Sequence, residues 1–392
     1  MIYRHILRTL LMALMLATAD ATRFVVQFRK NYNIESFVAH YYKSNPNMNV
    51  AALSQVGVEP FSIGSFKGVV GDFDVSFVKN LYNDDNIGAI SLDRELVLAE
   101  VQENAPMHLA RVSQQQKLRQ GQSMDYLYDP SGGIGVDVYI LDSGIESTVA
   151  EYNHRVTKIA DYTKEGANTI PHGTYVAGVV ASETYGVAKK ANLFDVKVTD
   201  KNGRTKLSSV VSALNLISQD SKITKRPTLI VIPLIMKKNA VLNGAVEAVV
   251  NEGIPVIVSA GNDGKDACDY SPASAKGSLT AGSVDYQDQI APFSNWGSCV
   301  DVFASGVKVE TTGTNGTVAK SGTSLSAGLA GGMVAYFMGM GDNGTQAVER
   351  LVKYSITGAI PEDNLLSRPS TSSRILFNGE GEPNWGPKMG IP

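Results

Sequence analysis

The sequence predicts an α/β fold, in which a doubly wound, mostly parallel sheet follows a small ferredoxin-like unit of element order βαββαβ. Two observations support this prediction. Beyond about residue 130, short and fully apolar runs, typical of strands buried on both faces, alternate with segments of helical periodicity. Before residue 100, strand-like and helix-like segments follow each other in the ferredoxin-like order. A length of 392 residues suits a division into two domains.

The small N-terminal unit is predicted from five features in chain order. Residues 23–28 form a β-like run, a helical pattern begins at Ile34, and residues 56–72 contain two β-like stretches. Asp74 can cap a second helix, and residues 87–99 are again β-like. Such an arrangement implies no function by itself.

The larger unit is predicted from four apolar strands with helices between them. The predicted strands are residues 136–141, 193–198, 229–234 and 255–259, and the helices include residues 207–218 and 243–252. Because functional groups gather beyond the carboxyl ends of the strands in open parallel sheets, candidate residues are sought there and at helix starts.

The first 19 residues have the pattern of a secretory signal peptide. A cationic start precedes an apolar run over residues 9–17, and small residues precede a cut expected after Ala19. The run is shorter than the roughly 18 residues that a membrane span needs. We therefore expect a protein that is secreted, or delivered to a vacuole, and that is not held in a membrane after signal removal.

The net charge and the hydrophobic content of the chain limit the classes of function that it can have. The net charge is -3 and the basic residues are scattered, so nucleic acid is not an expected partner. Hydrophobic residues make up 43% of the chain and charged residues 19%, as in a globular protein with a large core. We expect a monomer.

Cys268 and Cys299 are the two cysteines, and an even count in a secreted chain predicts a disulfide between them.

Three short motifs contain the candidate catalytic side chains. Asp142 follows the first predicted strand in Leu-Asp-Ser-Gly-Ile, His172 stands in Pro-His-Gly-Thr, and Ser324 stands in Ser-Gly-Thr-Ser-Leu-Ser-Ala-Gly. Alone, each is typical of a turn or a helix cap. Together they supply a nucleophile, a base suited to neutral pH and a carboxylate that orients the base. The α/β-hydrolase alternative needs the serine first, within Gly-x-Ser-x-Gly, and Ser324 lacks that frame.

With these motifs, the sequence resembles the subtilisin family of serine endopeptidases, most closely its proteinase K branch, over about residues 104–378. The resemblance also includes Asn-Ala-Pro-Met-His-Leu-Ala-Arg at 104–111, Tyr-Gly-Val-Ala-Lys-Lys at 185–190 and Tyr-Ser-Pro-Ala-Ser at 270–274. It implies that Asp142, His172 and Ser324 form a triad that cleaves peptide bonds through an acyl-enzyme. The chain order of Asp, His and Ser is the one known for subtilisin itself.

The resemblance implies a domain plan and a zymogen. Residues 1–19 would be the signal peptide, residues 20–102 a propeptide that acts as inhibitor and intramolecular chaperone, and residues 103–392 the peptidase domain. The propeptide would occupy the active-site cleft until self-cleavage near residues 100–103. Protein and peptide substrates and the chain's own propeptide are then the expected partners.

The resemblance also implies several site residues. Asn262 would donate to the oxyanion beside the Ser324 N–H. The implied substrate-binding residues are Gly203, Ile235, Lys237, Ser259 and Gly261. Some members of the branch have a disulfide at the positions of Cys268 and Cys299, and a calcium ligand stands at the position of Asp301, so the resemblance allows a structural calcium, whereas catalysis needs no metal or other cofactor. Independently of the family, Asn315 and Asn343 each begin an Asn-Gly-Thr sequon for N-glycosylation.

The sequence departs from the family pattern at the expected substrate-binding edges. Residues 234–238 read Leu-Ile-Met-Lys-Lys where Ser-Leu-Gly-Gly is usual, so lysines stand where glycines admit the substrate backbone. Residues 203–205 keep one of the usual glycines, Tyr175 replaces a histidine, and Gly328 replaces a proline. Two hypotheses follow: an active endopeptidase, with a preference for acidic residues near Lys237 and Lys238, or a subtilisin-fold protein of little activity with a binding or surface-structural role.

Overall fold

The computed structural model describes residues 22–29, 32–41, 57–73, 78, 81, 84–93, 100–119, 121–166 and 170–380. The chain divides into two compact units, Met1–Leu96 and Val97–Pro392. This boundary precedes residue 102, the predicted end of the propeptide, because Glu100–Gln102 pairs with a strand of the second unit. The predicted signal peptide, residues 1–19, lies outside the described residues.

The first unit contains a four-stranded antiparallel sheet in the order predicted for a ferredoxin-like unit. Its elements are β1 Thr22–Phe28, α1 Ile34–Tyr41, β2 Glu59–Ile63, β3 Phe66–Phe73 and β4 Ile87–Leu92. The strand order is β2-β3-β1-β4, with β1 paired to both β3 and β4. Of the second predicted helix, only Val78 and Leu81 are described, and both are helical and buried. Its start at Asp74 lies outside the described residues.

The second unit is built on a seven-stranded parallel sheet. Its strands are β5 Glu100–Gln102, β6 Tyr126–Tyr128, β7 Asp137–Asp142, β8 Val156–Asp161, β9 Asn192–Lys197, β10 Thr228–Ile232, β11 Met236–Lys237, β12 Val256–Ser259, β13 Tyr270–Ser271, β14 Leu279–Val284, β15 Val302–Ser305, β16 Val309–Gly313 and β17 Gly316–Lys320. The large sheet has the order β15-β14-β12-β10-β7-β9-β8, and all its pairings are parallel. The remaining strands form the pairs β5-β6, β11-β13 and β16-β17.

Helices cover both faces of the large sheet, which confirms the doubly wound α/β prediction. They are α2 Met107–Val112, α3 His172–Ala181, α4 Leu207–Thr224, α5 Ala240–Asn251, α6 Thr323–Gly339, α7 Gly344–Tyr354 and α8 Glu362–Leu366. One face packs against α3 and α6 in a single apolar core, and the other packs against α4 and α5 in a second core. Helix α6 is apolar all round because it is buried all round.

The four predicted parallel strands are present, with ends shifted by one or two residues. Three strands of the sheet were not predicted. β8 is an edge strand in which the exposed Thr157 and Lys158 interrupt the apolar run. β14 contains threonine, glycine and serine, and β15 is only four residues long, so neither gives a clear apolar run in the sequence. No helix within the described ranges is long and apolar enough to cross a membrane.

A disulfide joins Cys268 and Cys299, as predicted, with a Cα–Cα distance of 5.3 Å and a sequence separation of 31 residues. Cys268 lies in the short 3-10 turn Ala267–Asp269, just before β13. In a chain-entropy treatment, closing a loop of this length stabilises the folded state by about 3 to 4 kcal/mol.

Candidate active site

The carboxyl edge of the large sheet brings Asp142 and His172 together. Asp142 is the last residue of β7 and His172 the first residue of α3. The imidazole Nδ1 lies 2.8 Å from Asp142 Oδ2 and 2.9 Å from Oδ1. Because a carboxylate only accepts hydrogen bonds, Nδ1 is assigned the proton and Nε2 is the ring nitrogen left to accept one.

The Asp142 carboxylate is held in place and buried, with 2% of its surface exposed. The Ser143 N–H donates to Asp142 Oδ1 at 2.6 Å. The Ser143 hydroxyl donates to the Ile170 carbonyl and accepts from the Gly173 N–H, so the turn after β7 is tied to the start of α3. Attraction by Asp142 raises the pKa of His172 above its ordinary value, against the opposing effect of burial.

Ser324 lies in the first turn of α6, which packs against α3. It is 8% exposed, and its hydroxyl donates to the Pro233 carbonyl, just beyond β10, at 3.3 Å. Among the described residues, no hydrogen bond joins Ser324 to His172 in this rotamer. Such hydrogen bonds are often long in sites without substrate and tighten only in the reacting complex.

The Asn262 side chain has a fixed orientation. Its Oδ1 accepts from the Thr323 N–H and from the Thr323 hydroxyl, both at 2.9 Å. Because a backbone N–H needs an acceptor, the amide oxygen must face Thr323, and the amide nitrogen Nδ2 must face away from it. The same hydroxyl accepts from the Gly261 N–H at 3.1 Å, so the loop after β12 is tied to the start of α6.

Two N–H donors border one small space beside Gly322. A Cβ atom placed on Gly322 would lie 3.6 Å from Asn262 Nδ2 and 3.9 Å from both the Ser324 nitrogen and Asn262 Oδ1, the latter being engaged by Thr323. The Ser324 N–H belongs to the first turn of a helix, where N–H groups lack partners within the helix. Gly322 has a φ of +151°, which L side chains rarely adopt. This arrangement can hold a negatively charged oxygen.

Two residues that support Asn262 were not found by sequence reasoning. Thr323 is one, and Asn295 is the other. Asn295 is fully buried, and its Oδ1 accepts from the Asp263 and Lys265 N–H groups at 3.0 Å, whereas its Nδ2 donates to the Ala260 carbonyl at 2.9 Å. It therefore fixes both sides of the loop that carries Asn262. A single asparagine far along the chain gives no sequence signal for such a role.

The segments predicted to bind substrate line one cleft of about 380 Å³. Residues 203–205 form one part of its wall and residues 234–236 another, with Leu242 and Pro272 nearby. Of the predicted residues, Gly203 and Ile235 line this cleft. Gly261 packs against Ile235, because a Cβ there would lie 2.8 Å from the Ile235 Cδ1. Ser259 is buried at the end of β12.

The Lys237 side chain turns toward Tyr270. Its Nζ lies 4.3 Å from the ring centroid and donates to the phenol oxygen at 3.1 Å. That hydrogen bond is the main cause of the raised pKa of Lys237. The Lys238 N–H donates to the Asp269 carbonyl. Lys237 thus has a partner within the chain, which weakens the expectation that it selects an acidic substrate residue.

The predicted calcium position has one suitable side chain. Asp301 Oδ2 accepts from the Thr280 N–H at 2.7 Å, and burial raises the pKa of Asp301 to about 6. Nowhere in the described ranges do three or more His, Cys, Asp or Glu side chains form a cluster that could hold a metal. Calcium takes six to eight oxygens, of which this partly engaged carboxylate would supply one or two, so structural calcium stays a prediction.

The two sequon asparagines differ in their surroundings. Asn315 is exposed between β16 and β17. Asn343 is the N-cap of α7, and its Oδ1 accepts from the Gln346 N–H at 3.0 Å. Glycosylation at either position stays a prediction.

Comparison with known proteins extends the sequence resemblance to most of the chain. The family model described as the subtilase family matches residues 133–359. Subtilisin-like protease 1 of Pseudogymnoascus destructans is 33% identical over 368 residues, covering 91% of this chain and 89% of that protein. Proteinase T of Parengyodontium album is 35% identical over 298 residues, covering 74% and 99%.

A solved structure gives the same result. The crystal structure of a cold adapted subtilisin-like serine proteinase matches with a TM-score of 0.65 and 27% identity, covering 70% of this chain and 98% of that one. Fold, family match and relatives agree, and the chain belongs to the subtilase family of serine-type endopeptidases.

Proposed function

We propose that this protein is a secreted serine endopeptidase in which Asp142, His172 and Ser324 form the catalytic triad and Asn262 supplies an oxyanion donor. The observation that carries the proposal is the hydrogen bond from His172 Nδ1 to the buried Asp142 carboxylate. That bond leaves Nε2 as the free base, on a helix packed against the one that presents Ser324. The donors beside Gly322 add support.

The chemistry follows the order of a serine hydrolase. His172 Nε2 takes the Ser324 proton as the Ser324 oxygen bonds to the scissile carbonyl carbon, and Asp142 stabilises the imidazolium that forms. Negative charge develops on the carbonyl oxygen, which accepts from Asn262 Nδ2 and the Ser324 N–H. His172 then gives its proton to the leaving amine, and water releases the acyl group by the reverse sequence.

Substrates would be protein or peptide segments in extended conformation. The cleft between residues 203–205 and 234–236 is lined by Leu207, Val210, Ile232 and Leu242, so it suits an apolar substrate side chain. This volume supports an active enzyme over the alternative of a subtilisin fold with little activity, because the departures at residues 234–238 leave the cleft open.

The protein would be made as a zymogen, with the first unit as its propeptide. The sequence alone places the cut near residue 102. Glu100–Gln102, however, pairs with Tyr126–Tyr128, and the Gln102 side chain donates to the Thr184 carbonyl. We therefore propose a cut before Glu100, so that the mature peptidase keeps this strand. The signal pattern of residues 1–19 and the Cys268–Cys299 bridge both support passage through an oxidising secretory route.

A fluorophosphonate probe tests the triad and the processing together. The secreted wild-type protein, the Ser324→Ala variant and the Ser326→Ala variant would be labelled and their masses measured. Ser326 is a matched control, because it lies two residues away on α6 but is buried and bonded to Ser283 and Ala304. We expect labelled Ser324, and a mature form, in the wild type and in Ser326→Ala.

Ser324→Ala should be neither labelled nor cut. Absence of labelling in folded, propeptide-free wild-type protein would instead favour the binding or surface-structural alternative. An identical cut in Ser324→Ala would show that another protease removes the first unit.

A further inference from the structure

A buried carboxyl group lies behind the proposed triad and has no part in it. Asp195, in the middle of β9, is 1% exposed and pairs in register with Ile140 of β7. The Ile145 N–H faces one of its oxygens and favours the ionised form. The other, Oδ1, has no hydrogen-bond partner among the described residues. A buried and half-satisfied carboxylate is destabilising, so its presence calls for a functional reason.

Asp195 shares a face of the sheet with Asp142. Residues two apart on a strand point to the same face, and Asp142 pairs in register with Lys197. Lys197 is fully buried, and its Nζ donates to the Ser143 and Thr199 carbonyls, each at 2.9 Å. The strands therefore place Asp142, Asp195 and Lys197 side by side beneath α3, where His172 lies.

The charged groups that face Asp195 come from its own strand and from both neighbouring strands. They are Asp142 on β7, Lys158 on β8 and Lys197 on β9. Burial raises the pKa of Asp195 to about 6, with Asp142 adding to the rise and the two lysines opposing it. Asp195 is therefore mostly ionised above that pH, within the range where His172, whose pKa is raised, exchanges its proton.

We propose that Asp195 is a positioning residue for the Asp142–His172 pair, holding the turn after Asp142 and placing a second negative charge behind the imidazole. The proposal rests on the triad proposed above. The turn is held through Ile145, and it includes Ser143, whose hydroxyl ties it to the start of α3. Asp195 thus limits the movement of residues 142–145 and, through Ser143, of His172.

The negative charge of Asp195 should change the pKa of His172 in one direction only. A negative group behind the imidazole favours its protonated form, so it raises the pH at which His172 becomes a base. Removing the charge should move the acid limb of the kcat/KM profile to lower pH. For charges about 8 to 10 Å apart at an effective protein dielectric of about 20, the expected displacement is on the order of 1 pH unit.

Two variants separate the two parts of the role. Asp195→Asn keeps an oxygen for the Ile145 N–H and removes the charge, whereas Asp195→Ala removes both. Profiles of kcat/KM against pH, on a peptide substrate, report groups of the free enzyme. We expect the acid limb of both variants to move down by about 1 pH unit. We expect the plateau kcat to fall in Asp195→Ala alone, by about tenfold, as the turn loosens.

Asp137→Asn is the matched control. Asp137 is a buried aspartate at the opposite end of β7, about 17 Å from Asp142 at the rise of an extended strand. This variant should alter stability and leave the acid limb in place. A purely structural role for Asp195 would give the same result as this control, with a changed melting temperature and an unmoved acid limb.

The outcomes separate this proposal from the function itself. An active wild type whose acid limb stays unmoved in Asp195→Asn overturns the role of Asp195 alone. A folded, mature wild type without hydrolysis overturns the triad and, with it, this proposal. If Asp195→Asn yields no folded enzyme, Asp195→Ser in the same assay removes the charge within a smaller side chain. An NMR titration of His172 in the Ser324→Ala variant, with and without Asp195→Asn, measures the same change in the pKa of His172 without turnover.

Discussion

The residues around Ser324 and the segments that line the substrate cleft differ in how firmly the chain holds them. Asn295 and Thr323 are fully buried, and each makes several hydrogen bonds that fix Asn262. Ile235 and Met236, in contrast, are 36% and 38% exposed. The departures from the family pattern at residues 203–205 and 234–238 lie in the second region, whereas Tyr175 and Gly328 depart from it on helices α3 and α6. A site whose donors are fixed by buried neighbours tolerates few residue types, whereas an exposed edge tolerates many.

The largest expected effect lies in the firmly held region. Asn262→Ala should lower kcat by about a hundred- to a thousandfold with little change in KM, because the lost donor serves the charge that develops in the transition state; this magnitude is known from subtilisin itself. Steady-state kinetics on a peptide substrate provides the measurement. Asn364→Ala is the control, since Asn364 on α8 also accepts a backbone N–H but lies outside the site. Equal losses in both variants would contradict the oxyanion role.

Removal of the Cys268–Cys299 disulfide tests whether the firmly held residues around Ser324 need this covalent bond. Cys268→Ser with Cys299→Ser should lower the free energy of unfolding by about 3 kcal/mol. The activity of the folded fraction at room temperature should stay within about twofold, because the contacts of Asn295 remain. Calorimetry in the Ser324→Ala background avoids self-digestion and reads the stability directly. A large loss of activity at unchanged stability would show that the bridge shapes the site.

The smallest change in activity is expected for a substitution in the exposed segments that line the substrate cleft. Lys237→Ala should change kcat/KM by less than about threefold, on acidic and neutral peptides alike, because the ammonium group is engaged by Tyr270. Parallel assays of a peptide pair differing in one acidic residue provide the measurement, with Lys238→Ala alongside. A drop of tenfold or more confined to the acidic peptide would restore the specificity first expected from the sequence.

The sequence predicted the parts of the fold and site that depend on residue type. Apolar runs predicted four of the seven parallel strands, and the edge strand Val156–Asp161 escaped because its lysine and threonine face water. The positions of Asp142, His172 and Ser324 followed from short motifs whose chemistry needs those side chains.

Other contributions were beyond sequence reasoning because they depend on packing. The Pro233 carbonyl that accepts from Ser324 could come from any residue at that position. Asn295 and Asp195 acquire their surroundings from segments distant in the sequence. Residues 193–198 were predicted as a buried strand, and the two charged residues within it, Asp195 and Lys197, are buried. The sequence pattern of the strand does not reveal which groups surround these two charges, because the surrounding groups come from other segments.

The short strand Glu100–Gln102 bears on how the enzyme could be produced as a reagent. Among the described residues it is the only strand paired with Tyr126–Tyr128. A recombinant peptidase started after Gln102 would leave that edge open, and open edges recruit strands from neighbouring molecules. A full-length precursor that is cut before Glu100 should therefore yield a more dispersed mature enzyme than one that is cut three residues later.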